Sequence, residues 1–168
     1  MMCPLLKWLV CSSLVLFAGN VAAATQSMTA SIGFDSLLSI TNSTNISFGF
    51  VKADQAGTYT ISPTGQVTSS NDGQWLGGGM SAGSMTIAGS ATQTIDINVN
   101  NYVADKGVTP SAATCAYDGG GSAPCSLASL AAPGSGKPLL VGITVAVDGT
   151  QTTGATAAPS FDVVVNYH

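Results

Sequence analysis

Few residues in this chain could do chemistry. The only histidine is the last residue, His168, and the sequence has no arginine and no glutamate. A Ser-His-Asp hydrolase would therefore need its general base at a chain end, where order is usually lowest. The carboxylates are eight scattered aspartates, which do not form the close pair that glycoside hydrolysis requires. The sequence predicts no catalytic, cofactor-binding or metal-binding residue, and so a protein that is not an enzyme.

The four cysteines fall into two groups. Cys3 and Cys11 lie near the N-terminus, whereas Cys115 and Cys125 flank the turn-rich segment AYDGGGSAP. An even pair in an exported protein is expected to form a disulfide. A metal site would need further ligands, and neither a histidine nor another cysteine is close in sequence. We therefore predict a Cys115–Cys125 disulfide.

The N-terminal segment predicts export. Lys7 supplies a positive charge, residues 8–17 are mostly apolar, and residues 22–24 are three alanines. This is the pattern of a signal peptide, which we place at residues 1–24 with cleavage after Ala24. The apolar run is about half the roughly 20 residues of a membrane helix. We expect a secreted protein of the bacterial periplasm or cell surface, without stable membrane insertion.

Residues 25–168 have a length typical of one domain. Their charged side chains are Lys52, Lys106 and Lys137 against eight aspartates, a formal charge of −5. Such a chain lacks the basic surface that nucleic acid or an acidic membrane attracts. Gly, Ala, Ser, Thr and Val dominate, and Thr and Val lie in short alternating segments, as in exported β-domains.

Turn signals divide this domain into short strands. They include Pro63-Thr64-Gly65, Asn71-Asp72-Gly73 and the glycine runs at 77–79 and 119–121. About eight strands are predicted between them, at 28–34, 37–40, 46–52, 58–62, 84–88, 94–99, 139–147 and 161–167. A single helical turn is considered at 126–132. The predicted fold is an all-β, two-sheet antiparallel β-sandwich, immunoglobulin-like or pilin-like.

The first predicted strand is the most informative segment. Met28, Ala30, Ile32 and Phe34 alternate with polar or small residues, the pattern of a strand with one buried face. Two interpretations of residues 25–36 remain open. The segment could pair within its own chain as an ordinary first strand, or it could be donated to a neighbouring molecule.

Two further features concern the core and a surface. Phe161, Val163, Val165 and Tyr167 share one face of the last predicted strand, which should point into the core. Trp75 lies in the Gly-rich stretch GQWLGGGMSAGS. It could fill the end of the core, or it could be exposed and stack on a sugar.

The order of several motifs resembles a known family. The run LSITN at 38–42, followed by ISFG at 46–49, Val141-Gly142 and the terminal VNY at 165–167, is similar to the bacterial domain-of-unknown-function family numbered 4402. That resemblance covers nearly all of residues 25–168. It implies a small exported β-domain and carries no established activity.

A looser similarity links MTASIGFDSLLSI at 28–40 to chaperone/usher pilins of the colonization-factor type. In those proteins an N-terminal strand completes the sandwich of the next subunit. That similarity implies that Met28, Ala30, Ile32 and Phe34 are the donor side chains. A glycine that common pilins carry near the chain end corresponds to Ala155 here, and their disulfide lies nearer the N-terminus.

Two functional hypotheses follow. The first is a non-catalytic structural subunit of a fimbria-like or cell-surface assembly, which self-associates or joins other surface subunits by strand donation with help from a periplasmic chaperone. The second is a self-contained secreted β-sandwich that binds carbohydrate or a surface partner through Trp75. The weak charge and the lack of His, Glu and Arg favour both over an enzyme.

Overall fold

The structure is a computed structural model, and it describes residues 25–168. The predicted signal peptide, residues 1–24, lies outside the described residues. The described chain is all-β, without a helix, and its sheets are antiparallel. It has twelve strands: β1 Ser39–Thr44, β2 Ser47–Val51, β3 Ala56–Ile61, β4 Val67–Ser70, β5 Trp75–Ser81, β6 Gly83–Ala88, β7 Ile95–Val103, β8 Val108–Tyr117, β9 Ala123–Pro124, β10 Ser126–Leu130, β11 Lys137–Asp148 and β12 Ser160–Tyr167.

The strands form three hydrogen-bonded sheets. The largest has seven strands, with the path β1-β6-β11-β3-β4 and with β8 and β9 on the other edge of β11. A second sheet has the order β10-β7-β12, and the third consists of β2 and β5. Strands β12 and β2 are therefore each paired on one edge only within the described chain.

The long strand β11 organises the large sheet. Along one edge its first half pairs with β6 and its second half with β3, whereas β8 pairs along the other edge. Gly142 lies where β6 gives way to β3. A Cβ at Gly142 would lie 2.2 Å from the carbonyl oxygen of Ile61, so only glycine allows this close approach of backbones.

The core is built from all three sheets. Its fully buried members from the large sheet include Tyr59, Ile61, Ile87 and Leu139, and Ile95 and Ile97 come from β7. Half-buried side chains of β2, β5 and β12 pack against them. This alternation of buried and exposed residues is what the period of two in the sequence predicts.

Several sequence predictions need correction. Residues 25–38 contain no assigned strand, so the strand predicted at 28–34 is not formed within this chain. Residues 126–130 are strand β10, not a helical turn. Strands β4, β5, β8, β9 and β10 were not predicted, because their Gly, Ser and Ala residues resemble loop composition. No helix among residues 25–168 is long and apolar enough to cross a membrane.

Candidate functional site

A large, mostly apolar groove of about 1890 Å³ lies within residues 34–168. Its floor is the inward face of β11, where Val141, Ile143, Val145 and Val147 alternate with outward residues. These floor side chains are only 1–9% exposed. The accessible surface of the groove is therefore contributed mainly by the side chains and backbone of its walls.

Two strands contribute much of the rest of the lining and are here called the walls. They are β2, from Ser47 to Val51, and the first residues of β12, from Ser160 to Val164. The connection at 151–159 also lines the groove. Both β2 and β12 have one unpaired edge, as do the other terminal strands of the three sheets.

The backbone of β12 shows which of its groups are unpaired. The N–H of His168 donates to the carbonyl of Thr94 at 3.0 Å, in register with the pair Asn166↔Asp96. In an antiparallel ladder the hydrogen-bonding direction alternates. The N–H and C=O groups of Val163 and Val165 therefore point away from β7, and within residues 25–168 they have no backbone partner.

The four proposed donor side chains all lie on exposed residues. Met28, Ile32 and Phe34 are 93%, 77% and 90% exposed, and Ala30 is also exposed. A row of exposed large apolar side chains without strand pairing is unusual for a folded domain.

The predicted C-terminal face and disulfide are both found in the structure. Phe161, Val163, Val165 and Tyr167 are half-buried and pack against the core. Cys115 of β8 is bonded to Cys125, which follows β9, with a Cα–Cα distance of 5.0 Å. This link ties the short strand β9 to the large sheet.

The family of the chain follows from the span of one match. The model of the family described as "Domain of unknown function (DUF4402)" matches residues 38–167. The chain belongs to the DUF4402 family. No curated protein and no solved structure was found to match it. The match begins one residue before β1 and ends on the last residue of β12, so the strands of this DUF4402 domain coincide with the family region, and the segment 25–37 precedes it.

Trp75 is half-buried in this DUF4402 domain. Its indole Nε1 donates a hydrogen bond to the carbonyl of Phe48 at 2.7 Å, and its ring packs against the core. The polar edge of the indole is therefore used within the domain. Its neighbour Leu76 is 64% exposed. This geometry favours the core role of Trp75 over a role in stacking on a sugar.

The single histidine has an unexpected environment. His168 Nδ1 lies 3.0 Å from Asp96 Oδ2, and its Nε2 lies 3.3 Å from Ser129 Oγ. The Ser129 N–H donates to Asp96 Oδ1 at 2.8 Å. These side-chain contacts lower the pKa of Asp96, first through the His168 hydrogen bond and then through the Ser129 N–H.

These three residues contact one another in the order found in a Ser-His-Asp triad, but the N–H group that would bind an oxyanion is not free. The N–H of Ser129 is occupied by Asp96, so it does not point toward a developing oxyanion. Ser129 has a φ of 53° and lies where the β10–β7 register shifts. In this DUF4402 domain the trio stabilises a β-bulge and the end of β12.

Among residues 25–168 no group of three His, Cys, Asp or Glu side chains is placed to hold a metal ion.

The sequence predicted a strand at 46–52, which is β2, but not its place beside the groove. The polar cluster around Ser90 was not predicted either. Ser90 is completely buried, and its Oγ donates to Asp35 at 2.6 Å. The Ser90 N–H donates to the hydroxyl of Tyr167 at 2.7 Å. A lone serine between two strands has no sequence signal of its own, and its partners Asp35 and Tyr167 lie far from it in the sequence.

Proposed function

We propose that this protein is an exported, non-catalytic structural subunit of a fimbria-like or cell-surface assembly. In this proposal residues 28–34 of one copy are inserted as a β-strand into the groove of the next copy. The polymer is therefore built from many identical contacts. A periplasmic chaperone would protect the groove before assembly, because an open strand edge is prone to aggregation.

The observation that carries the proposal is that two strands with an unpaired edge line the same groove. Strands β2 and β12 both contribute to the lining, and each is paired along one edge only within residues 25–168. One strand inserted between them would join β10-β7-β12 and β2-β5 into a single sheet. The domain would then be a two-sheet antiparallel β-sandwich of the immunoglobulin-like or pilin-like type, completed by its neighbour.

The chemistry of the donor segment suits this groove. Alternation places Met28, Ala30, Ile32 and Phe34 on one face of an inserted strand, toward the apolar floor. Burying each large apolar side chain would contribute about 1.5 to 3 kcal/mol. The outward N–H and C=O groups of Val163 and Val165 would gain ladder partners, which sets the register.

The size of the groove also favours a peptide strand. Pockets for small molecules are typically about 300 to 1,000 Å³, and the groove of about 1890 Å³ is larger. It is elongated along β11 and β12 and carries no cluster of charged side chains in its floor. An extended apolar segment fits this shape better than a sugar or a cofactor does.

The disulfide supports the exported location that is part of this proposal. The Cys115–Cys125 disulfide is of the kind that persists in oxidising compartments. Surface polymers are assembled in that environment, and folded subunits there cannot use ATP-dependent remodelling. Strand exchange needs only the folding energy of the subunits.

The test is the size of the exported protein in detergent without boiling. We expect a ladder of multimers that collapses to one band on boiling. Ile32→Asp should abolish the ladder, because it places a charge in the apolar floor. Ser31→Asp is the matched control, since residue 31 lies on the opposite face of the strand, and its ladder should persist. A single monomeric band for the wild type in every lane would refute the proposal.

A further inference from the structure

The large sheet carries residues on its outward face that strands favour. The outward residues of β3 and β11 include Thr58, Thr60 and Thr144, and the hydroxyls of Thr60 and Thr144 lie 2.8 Å apart. Threonine is enriched in strands, because its branched side chain packs well on a pleated surface. The composition of this face is what the stability of the strands alone predicts.

The outward face of the β10-β7-β12 sheet has a different composition. It lies opposite the buried side chains of Ile95 and Ile97. The outward positions of β7 and β12 form three cross-strand pairs, here called the amide face: Asp96 and Asn166, Asn98 and Val164, and Asn100 and Asp162. Asparagine and aspartate hold five of these six positions, although both are depleted in strands, where their side chains compete with backbone hydrogen bonds. The stability of the strands does not explain this choice of residues.

The carboxamides of the amide face are available to a ligand. Asn98, Asn100 and Asn166 are all exposed. The side-chain hydrogen bonds on this face within residues 25–168 are made by its two aspartates and not by these three carboxamides. A carboxamide offers two N–H donors and a carbonyl acceptor in one plane. The face therefore presents unused donors and acceptors side by side.

The amide face is also acidic. Asp162 is exposed and accepts a hydrogen bond from Asn101 at 2.7 Å. Asp96 contacts His168 at 3.0 Å, and all three lysines of residues 25–168 lie outside β7, β10 and β12. A second copy of the chain stacked on this face would bring aspartates near aspartates, which like-charge repulsion opposes. The face therefore fits a ligand that carries positive charge.

From this arrangement we infer that the amide face binds a polysaccharide whose sugar units carry both hydroxyl and charged amino groups, a polymer of the glucosamine type. Adjacent hydroxyls pair with the donors and acceptors of the carboxamides, and ammonium groups make charge-assisted hydrogen bonds to the aspartates. None of the six residues is aromatic, so the face lacks the ring on which a neutral sugar stacks. The three pairs extend over about 14 Å along the strands and about 5 Å across them, the shape of an extended oligosaccharide.

This site is distinct from the groove, although the two share β12. Asp162 and Val164 also line the groove, whereas no residue of β7 does. Substitutions at Asn98 and Asn100 of β7 therefore probe the amide face alone. The inference does not depend on strand donation, because the face is formed by paired strands within one chain.

The test is a calorimetric titration of the wild-type exported protein with a hexamer of glucosamine at about pH 6. Aspartates are ionised at this pH, and the amino groups of the sugar are protonated. Concentrations are counted per chain, so the measurement serves for monomers and multimers alike. We expect saturable binding with a Kd that rises with salt concentration, because part of the contact is ionic.

A double variant, Asn98→Thr with Asn100→Thr, tests the carboxamides. Its Kd for the glucosamine hexamer should rise about tenfold, the effect of losing two groups that each make a hydrogen bond. Its melting temperature should equal or exceed that of the wild type, because strands favour threonine over asparagine. Gln66→Thr is the matched control, since it replaces an exposed carboxamide outside the sheet by the same residue, and its Kd should not change.

Two further probes separate the parts of the ligand chemistry. The hexamer of N-acetylglucosamine has hydroxyl groups without charge, and spermine has charge without hydroxyl groups, so both should bind more weakly than the glucosamine hexamer. Absence of binding by the glucosamine hexamer, equal binding by either of these probes, or an equal Kd for the double variant and Gln66→Thr would overturn the inference. None of these outcomes bears on strand donation, which the ladder of multimers tests separately.

Discussion

The indole Nε1 of Trp75 donates a 2.7 Å hydrogen bond to the backbone carbonyl of Phe48. This bond crosses from β5 to β2, the strand that forms one wall of the groove. The register between these strands shifts on both sides of Phe50. The indole therefore stabilises an otherwise irregular β-ladder, and it fixes the position of β2 beside the groove.

Trp75→Phe should lower the free energy of unfolding by about 1 to 3 kcal/mol, because the carbonyl of Phe48 loses its donor and the core loses part of a ring. Urea titration followed by tyrosine fluorescence or circular dichroism measures this change. If the main role of Trp75 were to bind a ligand on the surface, the free energy of unfolding would stay at the wild-type value.

Gly142→Ala should be among the most damaging single substitutions in the chain. The new Cβ would lie 2.2 Å from the carbonyl oxygen of Ile61 and 2.8 Å from Thr114 Oγ1. The backbone of β11 would have to move away from the end of β3 and from the Thr114 side chain, at a cost of about 3 kcal/mol or more. We expect low yield of folded protein and a strongly reduced melting temperature.

Gly121→Ala is the control for that experiment. No atom lies within 4 Å of a Cβ at residue 121, so the variant should melt within a few degrees of the wild type. Equal melting temperatures for Gly142→Ala and the wild type would contradict the close approach of β11 to the end of β3.

The contribution of Asp96 should depend on pH. Its pKa is lowered in the folded state below the ordinary 3.8, first by the hydrogen bond to His168. A carboxylate with a lowered folded pKa stabilises the protein above its unfolded pKa, and this stabilisation is lost as the pH falls through the folded value. The gap in melting temperature between the wild type and Asp96→Asn should therefore shrink from about pH 6 toward about pH 3.

Asp162→Asn serves as the comparison for Asp96→Asn. Asp162 accepts a hydrogen bond from Asn101 at an exposed position, away from His168. The variant therefore controls for the loss of one exposed carboxylate charge. An Asp96→Asn gap that is constant over the whole range, or that grows in acid, would contradict the assigned interaction.

The alternation of apolar and polar residues with a period of two predicted much of the fold. Six strands were anticipated to within a few residues, because apolar residues that face inward alternate in them with polar residues that face outward. They are the strands at 47–51, 56–61, 83–88, 95–103, 137–148 and 160–167. The disulfide and the inward face of β12 followed from the same kind of local evidence. Family membership was also visible in the order of the motifs.

Other features could not be predicted because they depend on long-range contacts. Strand β5 is rich in glycine, at residues 77–79, and its pairing with β2 is set by Trp75 and by Phe50, whose ring covers Gly78. The groove arises because β12 and β2 belong to different sheets, a relation between residues more than 100 positions apart. The hydrogen bond from the Tyr167 hydroxyl to the carbonyl of Ser36 likewise joins residues that are 131 positions apart.

Hydrogen exchange at the outer edge of β12 tests strand donation most directly. The amides of Val163 and Val165 point away from β7 and have no backbone partner within residues 25–168. In wild-type multimers the inserted strand should protect them, whereas in the Ile32→Asp chain they should exchange rapidly. Amides that point to β7, such as Val164, should be protected in both. If Val163 and Val165 exchange equally fast in wild-type multimers and in the Ile32→Asp chain, no strand is inserted beside β12 and the central claim is wrong.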